Sequence, residues 1–218
     1  MPRQFDLLVF DWDGTLMDSA ACIAASLQSA CRDLGFAVPS ERDARYIIGL
    51  GLNDALAHVL PGVAPAEFPR VADRYRHHFL LQDSGTELFA GVADMMTELK
   101  AAGHLLAVAT GKSRRGLDRA LDSTGLGHYF HATRCADEGF SKPHPGMLHL
   151  LLEALDVAPA RALMIGDTTH DMQMARAAGV ARLAIAHGAH DASDLLEYAP
   201  VACVRDCIEL RAWLREHA

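Results

Sequence analysis

The stretch FDLLVFDWDGTLMDS, residues 5–19, brings an apolar run and a pair of acids together. Residues 5–10 are nearly all apolar, which is typical of a buried strand in a parallel sheet. Asp11 and Asp13 follow this run directly. Side chains at positions i and i+2 of an extended chain point the same way, so we expect both carboxylates to face one site at the end of a strand.

The composition is that of an ordinary globular protein. The 218 residues are 50% hydrophobic and 22% charged, which is enough to form a sizeable core in one or two domains. The net charge of −8 disfavours nucleic acid and anionic lipid as partners. No apolar run approaches the roughly 20 residues of a membrane span, and the first is too short for a signal peptide. We expect a cytoplasmic protein that binds neither membranes nor nucleic acid.

Cysteine and histidine show no metal or disulfide pattern. The five cysteines are odd in number and lack paired CxxC spacing, which predicts free thiols. The twelve histidines contain no HExxH pair, so we do not expect them to hold a structural metal.

Further apolar runs alternate with helical patterns in the rest of the chain. These runs are residues 104–110, 161–167 and 180–186, with a weaker one at 201–204. Between them, apolar residues recur at helical spacing and stop at glycines. This alternation predicts an α/β fold with a doubly wound, Rossmann-like parallel sheet.

About 70 residues between the first strand and Gly91 interrupt the alternation. They are too many for a structureless loop, and they carry helical periodicities such as Ile23, Leu27 and Leu34. We therefore predict an inserted helical domain at residues 16–86, and a core domain made of residues 1–15 and 87–218. Within the insert, Met17-Asp18-Ser19 should cap the first helix.

Polar residues close the apolar runs or open the helices that follow. Thr110 and Gly111 end one run, Asp167 ends another with Asp171 one helical turn later, and Lys142 precedes a helix. Ligands of open α/β sheets bind at the carboxyl ends of the strands. We therefore expect four acids, a hydroxyl and a lysine to meet at one edge of the sheet.

This group of residues suits both a hard cation and a phosphate. Its carboxylates offer oxygen ligands alone, which favours Mg²⁺. Gly14 and Thr15 offer backbone amides, Thr110 a hydroxyl and Lys142 a positive charge, which together favour a phosphate. A carboxylate can act as the nucleophile in phosphoryl transfer. Of the other lysines, Lys112 either joins this site or merely begins a helix.

Four motifs then appear in a recognisable order. DWDGT (residues 11–15), Thr110-Gly111, Lys142-Pro143 and GDTTHD (residues 166–171) resemble those of the haloacid dehalogenase-like hydrolase superfamily. The insert resembles the cap of the subgroup that contains phosphoglycolate phosphatase and β-phosphoglucomutase. The resemblance implies an Mg²⁺-dependent phosphatase that hydrolyses a small phosphate monoester, for example a phosphoglycolate-like one, through an aspartyl-phosphate intermediate.

The resemblance also implies a role for each matching residue. Asp11 would attack phosphorus, and Asp13 would protonate the leaving alcohol and then deprotonate water. Thr110 would bind a phosphoryl oxygen, and Lys142 would balance charge and orient the nucleophile. For the metal, the implied ligands are Asp11, the backbone carbonyl of Asp13, and Asp167. Asp171 is either a ligand through water or a partner of the lysine.

Other activities of the superfamily are distinguished by single residues. Dehalogenases do not need an acid at the position of Asp13, so its presence disfavours dehalogenation. Phosphonatases use a cap lysine, and residues 14–99 contain none. A phosphomutase of the β-phosphoglucomutase type remains an alternative, as does a non-catalytic protein that binds a phosphorylated ligand.

Two features of the cap are candidates for substrate recognition. Gly49 lies in the turn IIGLGL, residues 47–52, which resembles the cap loop that approaches the active site in this subgroup. The alternative is a plain connection that needs glycine. Arg45 precedes the turn and would suit a second anionic group, such as a carboxylate, on the substrate.

Overall fold

The computed structural model of the protein describes residues 4–82 and 85–218. Within these residues, six parallel strands form one sheet in the order β3-β2-β1-β4-β5-β6. The strands are β1 (Leu7–Phe10), β2 (Leu105–Thr110), β3 (Ala132–Cys135), β4 (Ala162–Gly166), β5 (Ala181–Ile185) and β6 (Ala202–Val204). This order is that of a doubly wound sheet, which confirms the predicted fold class.

The apolar run that opens the sequence is the central strand and is buried on both faces. Leu8 and Phe10 pack into one hydrophobic cluster, Leu7 and Val9 into another, and all four are fully buried. Because successive side chains of a strand point to opposite faces, a strand covered on both sides reads as a continuous apolar run rather than an alternating one.

Helices cover both faces of the sheet. The helices that follow the cap segment are α5 (Val92–Ala101), α6 (Arg114–Thr124), α7 (Gly146–Ala154), α8 (Thr169–Ala177), α9 (Ala192–Leu196) and α10 (Cys207–His217). Buried residues of α5, α6 and α10 share the cluster of Leu8, whereas those of α7 and α8 share the cluster of Leu7. The site at the strand ends is thereby supported from both sides.

Four further α-helices lie among the described residues between β1 and α5. They are α1 (Ala20–Leu34), α2 (Glu41–Tyr46), α3 (Leu52–Val59) and α4 (Phe68–Gln82). Residues such as Leu27, Leu56 and Val71 form a separate hydrophobic cluster within this segment. The segment is helical, as predicted, and has a core of its own, while the domain boundaries remain predictions.

Some elements differ from the sequence expectations or extend them. Strand β3 was not predicted because it is an edge strand with the partly exposed polar residues Thr133 and Arg134. Ser19 occupies the N-cap position of α1, but its side chain makes no capping hydrogen bond. All five cysteines are free, as predicted. Among the described residues, no helix has the length and apolar character needed to cross a membrane.

Truncation of the central strand tests its place in the core. Leu8 is fully buried, whereas Leu81 on α4 is 67% exposed. We expect Leu8→Ala to lower the free energy of unfolding by about 2–5 kcal/mol, and Leu81→Ala to change it by less than about 0.5 kcal/mol. Denaturant unfolding followed by circular dichroism measures both. Equal losses in the two variants would contradict this placement of the strand.

Candidate active site

The ends of three neighbouring strands bring the predicted polar residues together. Phe10, the last residue of β1, lies opposite Val108 of β2 and Ile165 of β4. Asp11 directly follows β1, and its backbone N–H donates to the carbonyl of Ile165 at 2.9 Å. The register therefore places the first aspartate between the ends of β2 and β4, at the edge where a doubly wound sheet binds ligands.

Lys142 is the buried cation of the site. Its Nζ lies 2.8 Å from Oδ1 of Asp11 and 2.7 Å from Oδ1 of Asp171, and its side chain is 0% exposed. Burial alone would lower the pKa of Lys142, but the two carboxylates hold that pKa above its usual value. Lys142 therefore remains an ammonium group. Asp171 is a partner of the lysine, one of the two roles that the sequence left open.

Three buried carboxylates surround this region with more negative charge than Lys142 balances. Oxygens of Asp11, Asp167 and Asp171 all lie within 4.8 Å of one another. Burial, together with the other carboxylates, raises the pKa of Asp167 to about 7 and that of Asp11 well above its usual value. Within the described residues, Oδ2 of Asp11 is buried without a hydrogen-bond partner. An oxygen-rich cluster with an unpartnered carboxylate oxygen fits a hard divalent cation such as Mg²⁺.

Asp167 is held in place by the loop that follows β1. Its Oδ1 accepts a hydrogen bond from Thr15 Oγ1 at 2.6 Å, and its Oδ2 accepts one from the Ala189 N–H at 2.7 Å. A Cβ at Gly14 would lie 2.2 Å from Oδ2 of Asp167, and Gly14 has φ of +80°. Only glycine fits there, because both the space and the backbone conformation exclude a side chain.

The same loop corrects one sequence expectation. The Gly14 N–H donates to the Met17 carbonyl at 2.9 Å, and the Thr15 N–H donates to the Trp12 carbonyl at 3.3 Å. These two amides are therefore satisfied within the turn and are not free phosphate donors. The contribution of Gly14 and Thr15 is to let Asp167 approach and to fix its carboxylate.

Asp13 lies in a different environment from Asp11. Its Oδ1 accepts a hydrogen bond from Ser19 Oγ at 2.7 Å, and Lys112 Nζ lies 2.8 and 3.0 Å from its two oxygens. The Asp13 carboxylate does not belong to the acidic cluster found among the described residues. Metal binding through its backbone carbonyl remains a prediction. Because Lys112 is bonded to Asp13, it belongs to the site. The Ser19 hydroxyl donates to Asp13 and does not cap α1, the helix that Ser19 begins.

Asp171 has a structural task besides its ion pair. Its Oδ2 accepts hydrogen bonds from the backbone N–H of Thr168 at 3.1 Å and from Thr168 Oγ1 at 2.7 Å. Together with the bond from the Asp171 N–H to Thr168 Oγ1, these contacts form a capping box at the start of α8. One carboxylate thus begins the helix and holds Lys142.

The remaining predicted residues meet where the cap touches the core. Thr110 Oγ1 accepts a hydrogen bond from the Lys112 N–H at 3.2 Å, which leaves the threonine's own proton for another acceptor. A Cβ at Gly111 would lie 2.5 Å from the Gly49 carbonyl oxygen, and a Cβ at Gly49 would lie 3.8 Å from Oδ2 of Asp11. The glycine turn of the cap therefore lies against Asp11, although substrate contact by Gly49 remains a prediction.

Comparison with known proteins supports the assignment that these motifs suggested. Residues 8–185 match the family model described as haloacid dehalogenase-like hydrolase. The chain belongs to this family. The probable phosphatase IndB of Dickeya dadantii is 35% identical to this hydrolase over 91% of this chain and 88% of its own length.

One further relative agrees with this assignment, and a solved structure shares the fold. A phosphoglycolate phosphatase of Vibrio cholerae is 29% identical to the hydrolase over 85% of this chain and 86% of its own length. A solved structure of a hydrolase from Pseudomonas syringae has a TM-score of 0.90, covers 98% of this chain and 99% of its own, and is 18% identical. At that identity, the last likeness concerns the fold alone.

Cap and core of this hydrolase are joined by contacts that the sequence did not indicate. His170 Nε2 and His190 Nε2 both donate to the Tyr46 carbonyl, at 2.8 and 2.9 Å. Burial lowers the pKa of His170 to about 4, so this imidazole is neutral near pH 7. Arg45 Nη2 donates to the Gly188 carbonyl at 2.7 Å. Its guanidinium is thus engaged by the core, a contact different from the substrate anion expected from the sequence.

The excess of buried carboxylates predicts a pH-dependent stability of the metal-free hydrolase. Because the pKa of Asp167 is raised from 3.8 to about 7 in the folded protein, the folded state binds more protons than the unfolded state between these values. The free energy of unfolding therefore loses the contribution of Asp167 as the pH rises from about 4 to 7, by an amount on the order of a few kcal/mol. Asp167→Asn removes this dependence.

The test is thermal unfolding of wild type and of Asp167→Asn in the presence of chelator, across this pH range. The difference between the two Tm values should change with pH as expected for Asp167. Addition of Mg²⁺ at pH 7 should raise the wild-type Tm by several degrees, since binding to the folded state alone stabilises it. The variant should respond much less, and Asp122→Asn, at an exposed position of α6, should behave as wild type. An Asp167→Asn protein that responds fully to Mg²⁺ would rule out this ligand.

Proposed function

We propose that this hydrolase, a phosphatase, uses Mg²⁺ to hydrolyse a small phosphate monoester through an aspartyl-phosphate formed on Asp11. The observation that carries the proposal is the separation of two aspartates two residues apart into different environments. Asp11 is buried beside Lys142 and keeps one oxygen unpartnered. Asp13 is bound instead by Lys112 and Ser19. Two carboxylates in unlike surroundings can take different chemical roles.

Asp11 is the nucleophile in this mechanism. One oxygen of its carboxylate attacks phosphorus, while Lys142 fixes the carboxylate and favours its ionised form. Thr110 donates its hydroxyl proton to a phosphoryl oxygen. Mg²⁺ held by Asp11, Asp167 and the backbone carbonyl of Asp13 would supply positive charge for the phosphoryl oxygens.

Asp13 is the acid and then the base. It protonates the alcohol oxygen as the bond to phosphorus breaks, and it later removes a proton from the water that attacks the aspartyl-phosphate. Its hydrogen bonds to Ser19 and Lys112 orient the carboxylate towards the leaving group. The names of the relatives from Dickeya dadantii and Vibrio cholerae agree with phosphatase chemistry and make phosphoglycolate a natural first substrate to assay.

An ester with a good leaving group separates the two aspartate roles. p-Nitrophenolate leaves without a proton, so Asp13→Asn should still form the aspartyl-phosphate from p-nitrophenyl phosphate but should not hydrolyse it. We expect one burst of p-nitrophenol per enzyme molecule and a protein heavier by one phosphoryl group. Asp11→Asn should give neither. Stopped-flow absorbance and intact-protein mass spectrometry, with Mg²⁺ and with chelator, measure both quantities.

Asp18→Asn is the matched control because Asp18 is an exposed acid in the same stretch of sequence, and it should turn over as wild type does. A full burst from Asp11→Asn would assign the nucleophile to another residue. With a sugar phosphate, an isomerised sugar phosphate without release of inorganic phosphate would instead identify a phosphomutase.

Lys112 should act on the step that needs the acid. Lys112→Met removes one of the two groups that hold Asp13, so kcat for an alkyl phosphate should fall roughly tenfold, and kcat for p-nitrophenyl phosphate should fall much less. Lys100→Met, which alters a lysine bonded to the His128 carbonyl, is the control. Steady-state kinetics measure kcat with both esters. Equal losses of kcat with the two esters would exclude a role of Lys112 through Asp13.

A further inference from the structure

A cavity of about 390 Å³ lies beside Asp13, between the cap and the core. It is lined on the cap side by Ser19 and Phe79, and on the core side by Glu87, Lys112 and the last turns of α6, among others. Asp13, the proposed acid, also lines it. A space that contacts the acid can accept the alcohol part of a bound ester.

The charges around this cavity do not suit a second anion. Among the described residues that line the cavity, Lys112 is the one cation, and it is already bonded to both oxygens of Asp13. The lining also contains Glu87, whose exposed carboxylate has no ion pair or hydrogen bond with another described residue. Asp13 carries a proton when it acts as the acid, so Glu87 and Lys112 then balance each other and no positive charge is left for a second anion. A carboxylate on the substrate would also meet Glu87, and like charges in a shared site repel.

The uncharged part of the lining suits hydroxyl groups on a carbon chain. Ser123 Oγ and Thr124 Oγ1 donate to the Ala120 carbonyl at 3.1 and 2.7 Å, which leaves their oxygens able to accept further hydrogen bonds. The Phe79 ring provides an apolar surface, with Lys112 Nζ 5.0 Å from its centroid. The lining therefore offers hydroxyl acceptors next to apolar surface, a combination that suits sugars and polyols.

We propose that this cavity is the subsite for the leaving group, and that it prefers an uncharged, polyhydroxylated alcohol of sugar size over a carboxylate-bearing one. The volume lies within the range of pockets that hold whole small molecules and exceeds what glycolate needs. The inference rests on the proposed phosphatase function and refines its substrate class. It departs from the substrate in the name of the Vibrio cholerae relative, which is 29% identical to this chain.

Matched pairs of esters test the preference directly. Glycerol 3-phosphate against 3-phosphoglycerate, and glucose 6-phosphate against 6-phosphogluconate, compare an uncharged with a carboxylated alcohol on the same carbon skeleton. 2-Hydroxyethyl phosphate against phosphoglycolate completes the set. With Mg²⁺ present, we expect kcat/KM to be about tenfold or more higher for each uncharged member, and glucose 6-phosphate to be the best of the six.

The outcomes separate this inference from the proposed function. Equal or better turnover of the carboxylated members overturns the inference and leaves the phosphatase function standing. Turnover of p-nitrophenyl phosphate without turnover of any paired ester also overturns it. If no ester, p-nitrophenyl phosphate included, releases phosphate from a folded sample, the proposed function itself fails.

Two pairs of variants locate the preference in this cavity. Glu87→Gln should raise kcat/KM for the carboxylated esters about threefold, because it removes an exposed and partly screened charge. Glu216→Gln, on exposed surface of α10, should not raise it.

Ser123→Tyr narrows the cavity and should weaken turnover of glucose 6-phosphate more than that of glycerol 3-phosphate. Asp122→Tyr, at the neighbouring exposed position of α6, should leave that ratio unchanged. A sugar preference that survives Ser123→Tyr would place the leaving group elsewhere.

Discussion

The ion pairs of Lys142 are the contacts on which the rest of the site depends. An ammonium group with no exposure to solvent has to be paired, and Lys142 is paired with Asp11 at the end of β1 and with Asp171 at the start of α8. Asp171 in turn accepts hydrogen bonds from Thr168 that cap α8. One buried charge therefore connects the central strand, a loop and a helix, and it sets the position of the proposed nucleophile.

Environment rather than residue type distinguishes the two aspartates of the first motif. Asp11 is fully buried among other carboxylates, and this environment raises its pKa. Lys142, and any cation that binds the cluster, favour the ionised form of Asp11 instead. Asp13 is bonded to a hydroxyl and to Lys112 beside the cavity. Because side chains two residues apart on an extended segment lie side by side, one short motif can serve two neighbouring compartments.

Much of this arrangement was predictable from the sequence because it depends on local rules. Apolar runs give strands, parallel strands align their carboxyl ends, and residues that follow the runs, such as Asp11, Thr110 and Asp167, must then meet. The edge strand β3 was missed because partly exposed residues such as Thr133 and Arg134 interrupt its apolar pattern.

The contacts made across the domain boundary were not predictable in the same way. The pairing of Lys112 with Asp13, the histidines on the Tyr46 carbonyl and the use of Arg45 by Gly188 depend on how the insert packs on the sheet. That packing results from many distant contacts rather than from any spacing along the chain. The same holds for Gly14 and Thr15, whose amides are consumed by a turn that the sequence does not specify.

The close approach of Gly49 and Gly111 also limits which substitutions this enzyme can accept during evolution. A Cβ at Gly111 would lie 2.5 Å from the Gly49 carbonyl oxygen, so a side chain there would wedge the cap away from the sheet. Position 111, at this contact between the cap and the sheet, therefore has to remain glycine. If the neighbouring cavity holds the leaving group as proposed, new substrate ranges arise instead through its walls, such as α4, the last turns of α6 and the segment around Glu87, where a change of side chain leaves the contact between Gly49 and Gly111 intact.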